Sequence, residues 1–142
     1  MTDSATTCVG KCYNTWQDGP TFSVKYSPDT KSLDFNAKVR KGTFMGLAFA
    51  KMANLDAIVV QNGGATSTQT VGDYSASGYG LPKKAATQVT TAGATTADGD
   101  WASFSFSRAL TFDCGQKHDF FWVGNDSSST LQKHNKKGQW TL

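Results

Sequence analysis

Cys8, Cys12, Cys114, His118, His134, Met45 and Met52 are the residues of this 142-residue chain whose types suit metal binding or group transfer. Only two imidazoles join the three thiols, so no four-ligand zinc pattern results, and no Cys-x-x-Cys-His haem attachment is present. Cys114 and His118 match the Cys-loop-His part of a blue-copper site, but no histidine precedes residue 118 and no methionine follows it. The histidines and scattered carboxylates have no triad spacing, and no Gly-x-Ser-x-Gly elbow occurs. His118-Asp119 reads as a polar strand start before Phe120-Phe121-Trp122. A thioether with an imidazole is the remaining combination. Across a haem iron that pair leaves no open coordination position, which suits electron transfer. Met45 falls inside a buried strand. Met52 follows that strand, and His134 stands in a long polar loop, but their separation defines no motif by itself.

The elements that must position these residues are strands. Thr21–Tyr26 and Leu33–Val39 alternate apolar and polar residues, with Ser27-Pro28-Asp29-Thr30 supplying turn chemistry between them. Thr43–Ala50 and Asp56–Gln61 read as more deeply buried strands, and Asn62-Gly63-Gly64 as a turn. Further strands are expected at Ser67–Tyr74, Ala86–Thr91, Trp101–Arg108, Phe120–Val123 and Gln139–Leu142. One helical turn is tempting near Ala50–Leu55. Ala92–Asp100 and Gly124–Gly138 read as loops. Short strands at regular spacing predict an all-β fold, an antiparallel β-sandwich of two-sheet, immunoglobulin-like architecture.

Length and composition allow one domain over residues 1–142, with 1–15 an N-terminal segment. Hydrophobic residues make up 38% and charged residues 18%, and 14 basic against 11 acidic side chains give +3. That bias is weaker than nucleic-acid binders carry. The most apolar stretch, Phe44–Val60, is interrupted by Lys51 and Asp56 and falls short of a membrane span. Three cysteines suggest one disulfide from the N-terminal segment to Cys114, leaving one thiol free or intermolecular. With the sequon Asn125-Asp126-Ser127 this points to an extracellular domain whose leader is not in this numbering.

Several elements in order resemble the DOMON family, the β-sandwich of the cellobiose dehydrogenase cytochrome domain and related b-type cytochromes. They are Phe44-Met45-Gly46-Leu47-Ala48-Phe49, then Met52-Ala53-Asn54-Leu55-Asp56-Ala57-Ile58-Val59-Val60, then Asp73-Tyr74 and Pro82. Phe106-Ser107-Arg108-Ala109-Leu110 with Asp113, Phe121-Trp122-Val123-Gly124 and His134-Asn135-Lys136-Lys137-Gly138 complete the set. Ala48 stands where the family usually has a second glycine, and Val123 where it often has alanine.

The resemblance implies one non-covalent, six-coordinate haem b ligated by Met52 and His134, in a redox carrier rather than an enzyme. It also implies a redox partner protein, a dehydrogenase or a membrane cytochrome. Haem needs apolar walls, and Phe49, Leu55, Tyr74, Tyr79, Leu81 and Leu131 lie in segments near these ligands. Tyr74 and Tyr79 are also candidate propionate donors. Lys133, Lys136 and Lys137 beside His134 read as a solvated basic loop or as steering charge for an acidic partner. Arg108 reads as a structural ion-pair residue, with Asp113 a candidate partner. Two alternatives remain open. One is a haem-free carbohydrate-binding module using Trp16, Trp101, Trp122 or Trp140. The other is a structural subunit that self-assembles through β-edges or the odd cysteine.

Overall fold

The computed structural model describes residues 11–27, 29–50, 54–77, 82–109, 119–131 and 134–141. Two antiparallel sheets pack face to face. The first has the order β1 (Lys11–Asn14), β2 (Thr21–Ser27), β3 (Ser32–Arg40), β9 (Trp101–Ala109), β8 (Thr90–Asp98). The second runs β11 (Lys136–Thr141), β10 (Asp119–Asn125), β4 (Thr43–Ala50), β5 (Asn54–Asn62), β6 (Gln69–Ser77), β7 (Lys83–Lys84).

Alternation explains the core. Leu33, Phe35, Ala37 and Val39 of β3 and Ala102, Phe104 and Phe106 of β9 point inward and are buried. Met45 and Leu47 of β4 and Ile58 and Val60 of β5 meet them from the second sheet. Between these lie outward residues, Trp101, Ser103, Ser105 and Ser107, each half-buried in its polar row. Burying one face of each sheet is what fixes register, since a one-residue slip would turn every apolar side chain outward.

Aromatic rings close the far end by resting on glycines. Trp16 lies against Gly124 and Trp122 against Gly138, where an added Cβ would overlap the indole rings. At Gly124 that Cβ would also come within 2.9 Å of the Phe44 carbonyl oxygen, a backbone atom that cannot swing aside. Gly124→Ala is therefore expected to destabilise the fold by about 1–3 kcal/mol, as overpacking does. Urea unfolding measures it, and a loss near zero would mean that the β4–β10 ladder yields freely.

Three sequence expectations change. Most of the expected loop Ala92–Asp100 is β8, which begins at Thr90 rather than Ala86. The short strand β1 was not anticipated. Asn54 and Leu55 open β5 instead of finishing a helical turn, and 51–53 lie outside the described residues.

Candidate functional site

Strand register sorts the chain's connections onto the two ends of the sandwich. Ser27 pairs with Ser32, Ser32 with Ala109, Asn54 with Ser77, and Phe121 with Ala48. Ser27, Ser32, Ala50, Asn54, Ser77, Ala109 and Asp119 therefore lie at one end. Arg108 and Asp56 meet at that end, so it is shared by both sheets. The links 63–68 and 126–135 leave the opposite end, where Asn62 Nδ2 donates to the Val39 carbonyl at 2.8 Å.

The expected site residues divide between these ends. Met52, Tyr79 and Leu81 lie outside the described residues, as does the side chain of Leu55. Leu131 and His134 are half-buried on the connection at the other end, where the Asn135 N–H donates to the Gly124 carbonyl at 3.0 Å. Gly124 pairs with Met45. From Met45 to Ala50 is about 17 Å at roughly 3.3 Å per residue. Met52 is two residues from both Ala50 and Asn54, a reach of about 8 Å at most. Leu131 and His134 thus lie on the connection that begins level with Met45 rather than with Ala50. Phe121 pairs with Ala48, which sets the start of β10 level with the end of β4; His118, the residue before Asp119, lies outside the described residues.

Phe49 is a core residue at the first end. Its ring meets Phe120 at 5.5 Å and Trp140 at 6.3 Å, with the Arg108 guanidinium 4.6 Å above it. Arg108 Nη2 donates to both Asp56 carboxylate oxygens, at 2.8 and 2.6 Å. The ion-pair expectation for Arg108 holds, with Asp56 as the partner among the described residues; Asp113 lies outside them. Arg108 Nη1 is buried 3.9 Å from Asp73 Oδ1, without a hydrogen bond. Asp73 is 2% exposed and accepts the N–H groups of Val89 and Thr90 and the Thr90 hydroxyl.

A second apolar cluster faces away from the inter-sheet core. Ala48 and Ala57, between inward residues of β4 and β5, are 3% and 2% exposed and pack with Ala76 and Phe121. Register sets Phe121, Ala48, Ala57 and Tyr74 in one row across four strands. Two methyl side chains thus stand between Phe121 and Tyr74 along that row. Sequence reasoning missed Ala48, Ala57 and Phe121; the signal was small outward residues in otherwise bulky strands. The Tyr74 hydroxyl donates to Gln61 Oε1 at 3.4 Å, so it already has an acceptor within the sheet.

The other connection, 126–135, is held by its own polar groups. Asn135 Nδ2 donates to Asp126 Oδ1 at 2.7 Å, Ser127 Oγ donates at 3.0 Å, and Lys136 stands 3.7 Å from Oδ2. These hydrogen bonds, Asn135's first, hold the Asp126 carboxyl below its ordinary range. Asn125 is 4% exposed and its Oδ1 accepts the Ser127 N–H, so the sequon sits in the packed strand rather than on an open loop. Of the four tryptophans, Trp122 and Trp140 are core residues and Trp16 packs on Trp122. Half-buried Trp101 lies 6.0 Å from the Arg40 guanidinium.

No family model matches the sequence, and no curated protein matches it. A solved structure does: the cytochrome b domain of pyranose dehydrogenase from Coprinopsis cinerea, with TM-score 0.65 and 16% sequence identity. The match covers 91% of this chain and 79% of that one. This chain has the fold of that cytochrome b domain. The expected two-sheet antiparallel architecture is thereby shown, and the neighbour is of the kind to which the sequence elements pointed.

Proposed function

We propose that this chain is a one-electron carrier holding one haem b at the end of the sandwich where Ala50, Asn54 and Asp119 lie. The observation that carries this reading is the strand register, which sets Ala50, Asn54 and Asp119 at one end and Asn125 and Lys136 at the other. On this reading Met52 and His118 would hold the haem iron, with Met52 and His134 as the pair to be tested against them. The likeness to a cytochrome b domain supports the same reading.

The described residues suit a flat apolar group. Ala48, Ala57 and Phe121 would give it apolar contact, and Tyr74 a ring edge. Haem iron held between thioether and imidazole supplies reversible one-electron transfer with no vacant coordination position. The protein's part is to exclude water and to supply both ligands from links anchored in neighbouring strands. That makes it a carrier rather than a catalyst. The exposed Lys83 and Lys84 flank the 78–82 link and would favour an acidic redox partner. Cys8 and Cys114 lie outside the described residues. A disulfide between them, with Cys12 exposed and free, suits secretion into an oxidising compartment.

Absorption spectra of the purified protein with added haem test the assignment. Wild type should show a Soret band with low-spin character. Met52→Ala and His118→Ala should each convert it to high spin, and His134→Ala should leave it unchanged. No haem uptake would sink the electron-transfer reading in favour of a haem-free binding module. A low-spin signal lost in His134→Ala but kept in His118→Ala would restore the other ligand pair.

A further inference from the structure

The two sheets have four edge strands, and they are not protected alike. β7 is two lysines long. β1 has four residues and includes Lys11. β11 carries Lys136 and Lys137 and is tied to β1 through the Tyr13 hydroxyl, which donates to the Thr141 carbonyl. Short length and lysines are the usual means of keeping an open edge from pairing. β8 has neither. It runs nine residues, Thr-Thr-Ala-Gly-Ala-Thr-Thr-Ala-Asp, with no proline and no charge before Asp98, and all but Thr90 are exposed. Val89, just before it, is the large hydrophobic exposed among the described residues, at 48%. Ala92, Thr95 and Ala97 pair with the inward residues Phe106, Phe104 and Ala102 of β9, yet remain exposed. The strand therefore overhangs the second sheet.

We propose that β8 pairs antiparallel with β8 of a second copy, joining two five-stranded sheets across a two-fold axis. Self-complementarity argues for this occupant. A two-fold axis perpendicular to the sheets keeps outward residues opposite outward ones, so partners must share a face. β8 carries one extra residue, a bulge between Ala92 and Thr95, which switches the alternation. Matching faces with the greatest overlap then puts the axis between Gly93 and Ala94. Thr91 meets Thr96 on the outer face, while Ala92 meets Thr95 and Thr90 meets Ala97 on the inner one. Every one of these pairs is small and neutral, and Thr–Thr pairs are favourable across strands. The two bulges coincide at the axis, so neither copy's irregularity disturbs the other's ladder. Backbone groups unpaired at the edge gain partners, as in strand addition generally.

Sedimentation velocity over a dilution series, with reductant present to exclude Cys12 crosslinks, tests the proposal. The mass should climb from the 15.2 kDa chain toward twice that value as concentration rises. T91K/T96K sets like charges opposite each other at both crossings and should leave a monomer with an unchanged melting temperature. T91E/T96K sets opposite charges there and should restore the dimer. A wild type that stays monomeric throughout overturns the proposal. So does a dimer that survives T91K/T96K, or a T91E/T96K variant that remains monomeric. None of these outcomes depends on haem.

Discussion

Asp73→Ala is expected to cost about 3 kcal/mol or more of folding stability, the range for stripping a partner from a buried, hydrogen-bonded charge. The carboxylate is nearly sealed from solvent and takes the Val89 N–H at 2.6 Å, the Thr90 N–H at 2.7 Å and the Thr90 hydroxyl at 2.5 Å. Its own backbone N–H donates to Gln88 Oε1, and its carbonyl accepts from Gln88 Nε2 and the Ala85 N–H. One residue of β6 thus anchors the whole approach to β8, and so fastens the second sheet to the first along one open side. Removing the carboxylate strands two backbone donors and leaves Arg108 with Asp56 as its counter-charge. Asp73→Asn keeps an acceptor but loses the charge, so it should fall between wild type and alanine. Denaturant unfolding at constant slope measures both, and an alanine variant within about 1 kcal/mol of wild type would mean that water replaces these bonds at little cost.

What was readable in the sequence follows from burial. Leu33–Val39 and Trp101–Arg108 alternate because one face of each meets the core, and both were legible as strands. β8 was not, since both its faces are wet and Thr, Ala and Gly alternate no hydrophobicity to detect. β1 was missed because only Tyr13 of its four residues is half-buried and the rest are exposed. Met52 was singled out from the strand pair on either side of it, and it lies outside the described residues. His134 was chosen over His118 by the order of motifs alone. The physical signal lay between them: Phe120-Phe121-Trp122-Val123 reads as one strand, and a single strand carries the chain from one end of a sandwich to the other. That is the ground on which His118 is proposed in place of His134. Arg108's true partner was hidden for another reason, since Asp56 joins it only once β5 and β9 face each other across the core.

Trp140→Ala should be comparably damaging, at about 3–5 kcal/mol, the cost of deleting a buried large aromatic. Trp140 belongs to a six-residue edge strand, a place where a side chain often packs on one sheet alone. Its surroundings argue otherwise. The ring is 2% exposed and stands 4.5 Å from Phe120 of its own sheet. It also meets Phe22, Phe35 and Tyr13 of the opposite sheet at 5.6, 6.2 and 5.7 Å. Its Nε1–H donates to the Phe121 carbonyl at 3.2 Å. It therefore closes the side of the sandwich opposite to Asp73, and Tyr13 completes the seal by donating to Thr141. Burial raises the Tyr13 phenol above its ordinary titration range, which gives the closure a pH signature. A phenol held neutral by folding contributes stability below its unfolded value near 10, and that contribution is lost as pH rises through its folded value. Wild type should therefore weaken in alkali, and Trp140→Ala, by letting water reach the phenol, should titrate Tyr13 closer to the ordinary value. Trp140→Phe keeps a ring but not the donor, and should lose much less. If Trp140→Ala melted like wild type, or left the tyrosine titration where it was, β11 would be an ornament on the second sheet rather than its tie to the first.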